Sequence, residues 1–242
     1  MKVYVNEITG IADAIVSMFM SKRTWTRELE INIRDTCDRV LTRHGQLKNT
    51  DLLFLDDFDN FNNWLNSLVK WGCKHITMLR FIDISVTVEG LHRGGQDDWD
   101  AHAYRFNNRI IRNSTRLATF ENEMSEWYQD KIIPTDLALI QLRINTPDII
   151  NKDGITFVKT INGYIREDLK DNKDAKRGLY MLSIPSNFIF KINLTEYGHV
   201  YKERNKFGNA NPEVKLCCED MTDQLEGFHK QFNRELLENI KN

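Results

Sequence analysis

The run Ile82-Asp83-Ile84-Ser85-Val86-Thr87-Val88-Glu89 alternates apolar and polar residues without a break. Successive side chains of a strand point to opposite faces, so the pattern predicts a strand over 82–89. Ile82, Ile84, Val86 and Val88 take a buried face; Asp83, Ser85, Thr87 and Glu89 take the other. Upstream, Phe61, Trp64, Leu65, Leu68 and Trp71 recur at helical spacing and predict an amphipathic helix over 58–72. Further out, the pattern predicts a short strand at 2–5, a helix over 11–22 and a second helix over 26–43. Thr26 serves there as N-cap ahead of Glu28 and Glu30, where anionic side chains suit the dipole. Residues 45–57, with Gly45, Asn49, Asp51 and Asp56, read mainly as loop.

Downstream, the polar segment Gly94-Gly95-Gln96-Asp97-Asp98 leads into an expected helix over about 100–117, and helical spacing resumes through 119–130. Residues 148–175 are polar and carry no clear periodicity. Phe188-Ile189-Phe190-Lys191-Ile192 reads as a second strand. Val214, Cys217, Met221, Leu225, Phe228, Phe232, Leu236 and Ile240 keep a helical stripe, predicting a long C-terminal helix over 213–240. No internal repeat or linker breaks the chain. The expected fold is one α+β domain over 1–242: a small, mostly antiparallel sheet packed by several helices.

Composition sets bounds. Across 242 residues, 33 Lys and Arg stand against 35 Asp and Glu, a formal net charge of −2, and 41% of residues are hydrophobic. That apolar fraction suffices for a core and excludes a wholly disordered chain. With 12 Gly and 4 Pro the chain is neither collagen-like nor low in complexity. The charge balance argues against a general nucleic-acid coat. The apolar stretch Ile11–Met20 contains Asp13 and falls short of the roughly 20 apolar residues that span a bilayer. The start, Met1-Lys2-Val3-Tyr4-Val5, lacks the order of a secretory signal. Cys37, Cys73, Cys217 and Cys218 form no C-x-x-C pair and read as reduced thiols, so a cytoplasmic protein without a membrane partner is expected.

Arg105, Arg109, Arg112 and Arg116 follow one another by steps of four, three and four, which on a helix share one face. Guanidinium forks match phosphate and carboxylate, so the stripe is a candidate phosphate wall, with Ser114 adding a hydroxyl; it equally fits a solvated face paired with acids. Asp97, Asp98, Asp100 and His102 could hold a divalent metal for phosphoryl hydrolysis, but as Asp at a helix start they suit the dipole, and no second ligand cluster matches them. The expected site holds no metal. The chain has no G-x-G-x-x-G, P-loop or G-x-S-x-G motif. Cys73, two residues before His75, is a weak candidate nucleophile.

In order and spacing, these pieces resemble the flavin-dependent thymidylate synthases. That family runs from a helix ending in Gly through His-x-Thr and an alternating strand to an arginine-rich helix ending Ser-x-Arg. Here the run is Gly72, His75-Ile76-Thr77, the strand 82–89, and Ser114-Thr115-Arg116. A second block reads Arg177, the strand 186–192, Asn193, His199, Arg204 and Ala210-Asn211-Pro212-Glu213-Val214, against the family's Arg, strand, Asn, helix, Arg and Ala-Gln-x-Glu-Ile. The resemblance covers roughly residues 58–215. It departs at the hallmark Arg-His-Arg, where Tyr104-Arg105-Phe106 stand, at Arg112 in place of Glu, at Arg80-Phe81 in place of Glu-His, and at Thr195 in place of Arg.

The resemblance implies a homotetramer that methylates dUMP to dTMP with methylenetetrahydrofolate and reduced FAD, with NADPH as co-substrate. It implies that Ser114, Arg116 and Arg177 hold the dUMP phosphate, and that Arg204 contacts the uracil and stabilises charge there. Arg204 and Ser114 are thus the implied catalytic residues. His75, Thr77, Asn193 and His199 would line the flavin site, with Arg105 a remnant of the basic motif and the cofactor supplying the redox chemistry. The broken hallmark motivates a second reading, a nucleotide- or nucleic-acid-binding protein on the same fold without thymidylate chemistry; the near-neutral charge disfavours nucleic acid.

Overall fold

A computed structural model of the chain describes residues 1–49, 55–100, 109–112, 125–128, 147–160, 163–171, 184–206 and 211–240. Its centre is the strand that the alternation predicts. β1 spans Lys2–Thr9 and β2 spans Asp83–His92; the two pair antiparallel, with Val3 opposite Val88, Val5 opposite Val86 and Ile8 opposite Ile84. Strict period-2 alternation along β1 would turn Glu7 inward. A bulge between Val5 and Glu7 inserts one residue and puts Ile8 on the buried face instead.

β3 spans Arg109–Arg112, and a short antiparallel sheet of β4, Ile149–Lys152, β5, Ile155–Thr160, and β6, Gly163–Arg166, follows it. β7, Pro185–Asn193, pairs antiparallel with both β2 and β3 and completes a sheet of order β1-β2-β7-β3. Phe188, Phe190 and Ile192 extend the apolar face begun by Ile84, Val86 and Val88. Each such fully buried side chain contributes about 1.5–3 kcal/mol.

The helices cover that face. They are α1, Ile11–Ser21; α2, Arg27–Val40; α3, Leu55–Gly72; α4, Arg93–Asp100; α5, Leu194–Tyr201; α6, Pro212–Phe228; and α7, Arg234–Asn239. Thr26 caps α2 as expected, accepting from the Leu29 N–H at 3.1 Å. β1 passes into α1 through Gly10 at φ 82°, where an added Cβ would lie 1.8 Å from the Phe81 carbonyl oxygen. The edge of β1 is shielded by α6: Gln224 accepts from the Val5 N–H at 2.8 Å and donates to the Val3 carbonyl at 2.7 Å. Among the described residues no helix is long and apolar enough to cross a membrane.

The α+β class and the antiparallel sheet hold, and four local expectations shift. The segment read mainly as loop over 45–57 is already helical from Leu55. The polar segment 93–100 is itself a helix, not the approach to one. Residues 109–112 are a strand, where the long-range register against Phe188–Lys191 overrides the helical steps of the arginines. The long C-terminal helix stops at Phe228, where His229 adopts extended backbone (φ −146°, ψ 116°); α7 begins anew after Asn233, which caps it through the Leu236 N–H.

Candidate functional site

Asn193 ends β7 and caps α5, its side-chain oxygen accepting from the Glu196 N–H at 3.0 Å. It is the register partner of Asp83 at the start of β2. The Leu194 N–H donates to the Ile82 carbonyl at 2.9 Å, and the Thr195 hydroxyl donates to the Ile76 carbonyl at 3.0 Å. These bonds fasten the 75–77 turn to the start of α5, so His75, Thr77 and Asn193 meet at one corner. His75 and Thr77 are exposed there. Glu196, in the same first turn, has its carboxyl pushed up by burial. His199 lies half-buried near the far end of α5, away from its capped start.

Arg204 occupies a π-helical turn, Lys202–Lys206, of the kind that often marks functional sites. Its side chain is 24% exposed and reaches α4, with Nη1 3.6 Å from the Asp98 carboxylate and Nη2 donating to the Asp98 carbonyl at 3.4 Å. Asp97 meets Arg112 at 3.1 Å and Arg93 at 3.7 Å. Asp97 and Asp98 thus pair with separate arginines rather than converge on one point. The helical arginine wall does not carry through 109–112, because residues three apart on a strand face opposite sides.

Beneath these ion pairs α4 turns Gln96 and Trp99 inward, three residues apart on one face. The Gln96 amide oxygen accepts from Arg93 and from the Ser186 hydroxyl. Arginine can only donate, which fixes the amide orientation and sends Nε2 the other way. Among the described residues, Gln96 Nε2 and Trp99 Nε1 are buried without a hydrogen-bond partner, their residues 0% and 2% exposed. Trp99 packs on Phe190 with ring centroids 4.9 Å apart. Two buried donors on one helix face call for an acceptor.

A second polar cluster adjoins the first. Glu213, in the first turn of α6 and fully buried, accepts from the Ser125 hydroxyl at 2.5 Å, from the His92 N–H at 3.1 Å and from the His92 ring at Nδ1. Burial alone would raise its carboxyl, but the hydrogen bonds from His92 and Ser125 outweigh burial and hold it below the usual carboxylate range. Glu213 is thus held as a carboxylate against the His92 ring and the Ser125 hydroxyl. Gly95 permits this contact: an added Cβ would lie 2.6 Å from the His92 ring and 2.9 Å from Val214.

Of the residues expected at the site, His75, Thr77 and Asn193 are brought together and Arg204 joins α4. Arg105, Ser114, Arg116 and Arg177 lie outside the described residues, as do His102 and the Asp100 side chain. Sequence reading did not single out Arg93, Trp99 or the His92–Ser125 pair. Their one available signal is Trp99 three residues after Gln96, a helical step inside a segment otherwise read as polar. All four cysteines are free thiols; Cys73 is half-buried, with its thiol pushed up by burial, unlike an activated nucleophile.

No protein-family model and no curated protein matches the sequence. Solved structures do match. Thymidylate synthase X (ThyX) from Helicobacter pylori, solved with FAD and dUMP, superposes with TM-score 0.55 at 14% identity over 98% of this chain and 100% of that one. A second structure of the H. pylori flavin-dependent thymidylate synthase, complexed with FAD and dUMP, gives 0.54 at 13% over the whole of both chains. The UMP/dUMP methylase PolB from Streptomyces cacaoi, bound to 5-Br dUMP, gives 0.54 at 8% over 96% of this chain and 92% of that one. At these identities the likeness establishes the fold alone: the chain shares, end to end, the architecture of these solved structures.

Proposed function

We propose that the protein is a flavin-dependent thymidylate synthase-like enzyme that reductively methylates dUMP to dTMP. Methylenetetrahydrofolate would be the carbon donor, FAD the cofactor and NADPH the reductant, in a cytoplasmic homotetramer with sites shared between chains. The observation that carries the reading is the α4 cluster. Arg204 pairs with Asp98 of α4, the helix that also carries two buried donors, Gln96 Nε2 and Trp99 Nε1, without an acceptor among the described residues, in a fold shared with dUMP-bound proteins.

Those donors and the guanidinium fit the carbonyl and phosphate oxygens of a pyrimidine nucleotide. The corner of His75, Thr77 and Asn193 offers exposed polar groups and a helix start for the flavin, joined by His199 and by Arg105. Reduced FAD, when bound, supplies the hydride. Arg204 would stabilise negative charge developing on the pyrimidine, released from Asp98 as the nucleotide enters. Ser114, Arg116 and Arg177 would hold the phosphate.

The test is a flavin absorbance spectrum of the purified protein with added FAD, followed by a dUMP-dependent methylation assay. Flavin uptake with turnover supports the reading. The absence of both flavin uptake and turnover overturns it. Binding of dUMP without turnover selects the alternative, a nucleotide-binding protein on the same fold.

A further inference from the structure

Trp71 lies in the last turn of α3, and His75 follows it by four residues. Their ring centroids are 5.8 Å apart with planes inclined by only 20°, and the His75 N–H donates to the Trp71 carbonyl at 2.9 Å. Lys22, capping the end of α1, sets its ammonium 4.8 Å from the centre of the Trp71 ring. A cation at that distance is held by the ring's π-face, and its remaining N–H bonds are left to meet an anion.

This group is surface, not core: Trp71 is 38% exposed and His75 is exposed. It is also fixed in place, because the turn is fastened to α5 through Thr195 and Ile76. An indole and an imidazole stacked on a fixed turn, with an ammonium beside them, match a ligand that joins a planar ring to a phosphate.

We propose that Lys22, Trp71 and His75 form a ledge for the flavin nucleotide. One of its rings stacks on the aromatic pair, and the Lys22 ammonium pairs with a phosphate. The ledge rests on the reading above that His75, Thr77 and Asn193 line the flavin site. It adds Trp71 and Lys22, which nothing in the spacing of the sequence motifs singles out.

The test titrates FAD and FMN separately into the full chain and into Trp71→Ala, Trp71→Phe and Lys22→Ala variants, at low and high salt, with thermal unfolding confirming each fold. Stacking of this kind is worth about tenfold in affinity or more, so Trp71→Ala binds FAD at least about tenfold more weakly and Trp71→Phe recovers part of the loss. Lys22→Ala weakens binding several-fold, and its deficit shrinks at high salt. Loss with both nucleotides puts the isoalloxazine on the ledge; loss with FAD alone puts the adenine there. If the unaltered chain binds FAD and the Trp71 and Lys22 variants match it, the ledge is wrong while the flavin reading stands. If the unaltered chain binds neither flavin, the flavin reading fails and the ledge with it.

Discussion

Two buried polar clusters meet α4, and they differ in one respect. The His92–Ser125–Glu213 cluster is closed: the carboxylate collects three donors drawn from β2 and residue 125. The Gln96–Trp99 cluster is open: its amide oxygen accepts two hydrogen bonds, yet two donors have no partner among the described residues. A closed cluster joins distant parts of the chain and is a folding device. Buried donors without a partner cost stability, and an acceptor supplied by a ligand would offset that cost. Stability and binding should therefore separate between the two clusters.

The largest expected effect is on the closed side. Glu213→Ala leaves the His92 N–H, the His92 ring and the Ser125 hydroxyl buried without their acceptor, and should cost about 3–5 kcal/mol of unfolding free energy. Denaturant midpoints measure it. A loss below about 1 kcal/mol would show that water replaces the carboxylate and that the cluster is not the closed device described here.

A half-closed case lies in the kink after α6. His229 donates from Nε2 to the Gly45 carbonyl at 2.7 Å, while its buried Nδ1 has no partner among the described residues, and burial pushes its pKa down to about 4. The unfolded chain takes up that proton near pH 6.5, the folded chain only near 4. The unfolded state thus holds more protons in between, and stability falls as pH drops through that window, by up to about 3 kcal/mol. His229→Leu should flatten the pH dependence of the unfolding midpoint between 6.5 and 4. The lowered Glu213 carboxyl acts later, its contribution fading only as pH falls below about 4.5. An unchanged slope in His229→Leu would assign the acid sensitivity elsewhere.

On the open side, Trp99→Phe removes an unpartnered donor together with part of an indole. Unfolding free energy should move by less than about 1 kcal/mol, while dUMP affinity falls about fivefold, the worth of one hydrogen bond. Calorimetry beside thermal unfolding reads both. A large stability loss with unchanged binding would reverse the contrast between the clusters.

The smallest effect concerns the lid of the open cluster. Asp98→Asn removes the charge 3.6 Å from the Arg204 guanidinium. An anionic nucleotide no longer competes with a carboxylate, so dUMP binding should tighten about twofold to fivefold, in line with the modest worth of exposed ion pairs. Weaker binding would mean that Asp98 accepts from the ligand instead of yielding to it.

How much of this was legible in the sequence follows from how local each signal is. Alternation over 82–89 exposes the central strand, because one face is buried and the other is not. Thr26 and the Phe61–Trp71 spacing mark their helices through contacts within a few residues. Asp153-Gly154 carries a tight-turn signature, both residues at positive φ, and could have located the β4–β5 hairpin that polarity alone obscured.

By contrast, α4 opens with Arg93-Gly94-Gly95, a helix-poor start that makes sense only beside the His92 ring and Val214. The strand at 109–112 is set by pairing with β7, more than seventy residues away, and the arginine steps conceal it. At the site, Asn193 and Arg204 were visible through motif order. The burial of Glu213 was not, since an acid in a first helical turn reads as an exposed dipole partner. That the Gln96 and Trp99 donors are buried depends on tertiary packing, and the sequence shows only their helical step of three.

The measurement closest to the central claim is calorimetric titration of dUMP into the FAD-supplemented protein and into its Arg204→Ala variant, with thermal unfolding confirming that both are folded. We predict saturable dUMP binding to the unaltered chain and affinity at least about tenfold lower in the variant, the worth of a charge-assisted hydrogen bond. Absence of dUMP binding to the unaltered chain, or equal affinity in both, would contradict the assignment of the α4–Arg204 cluster as the nucleotide site.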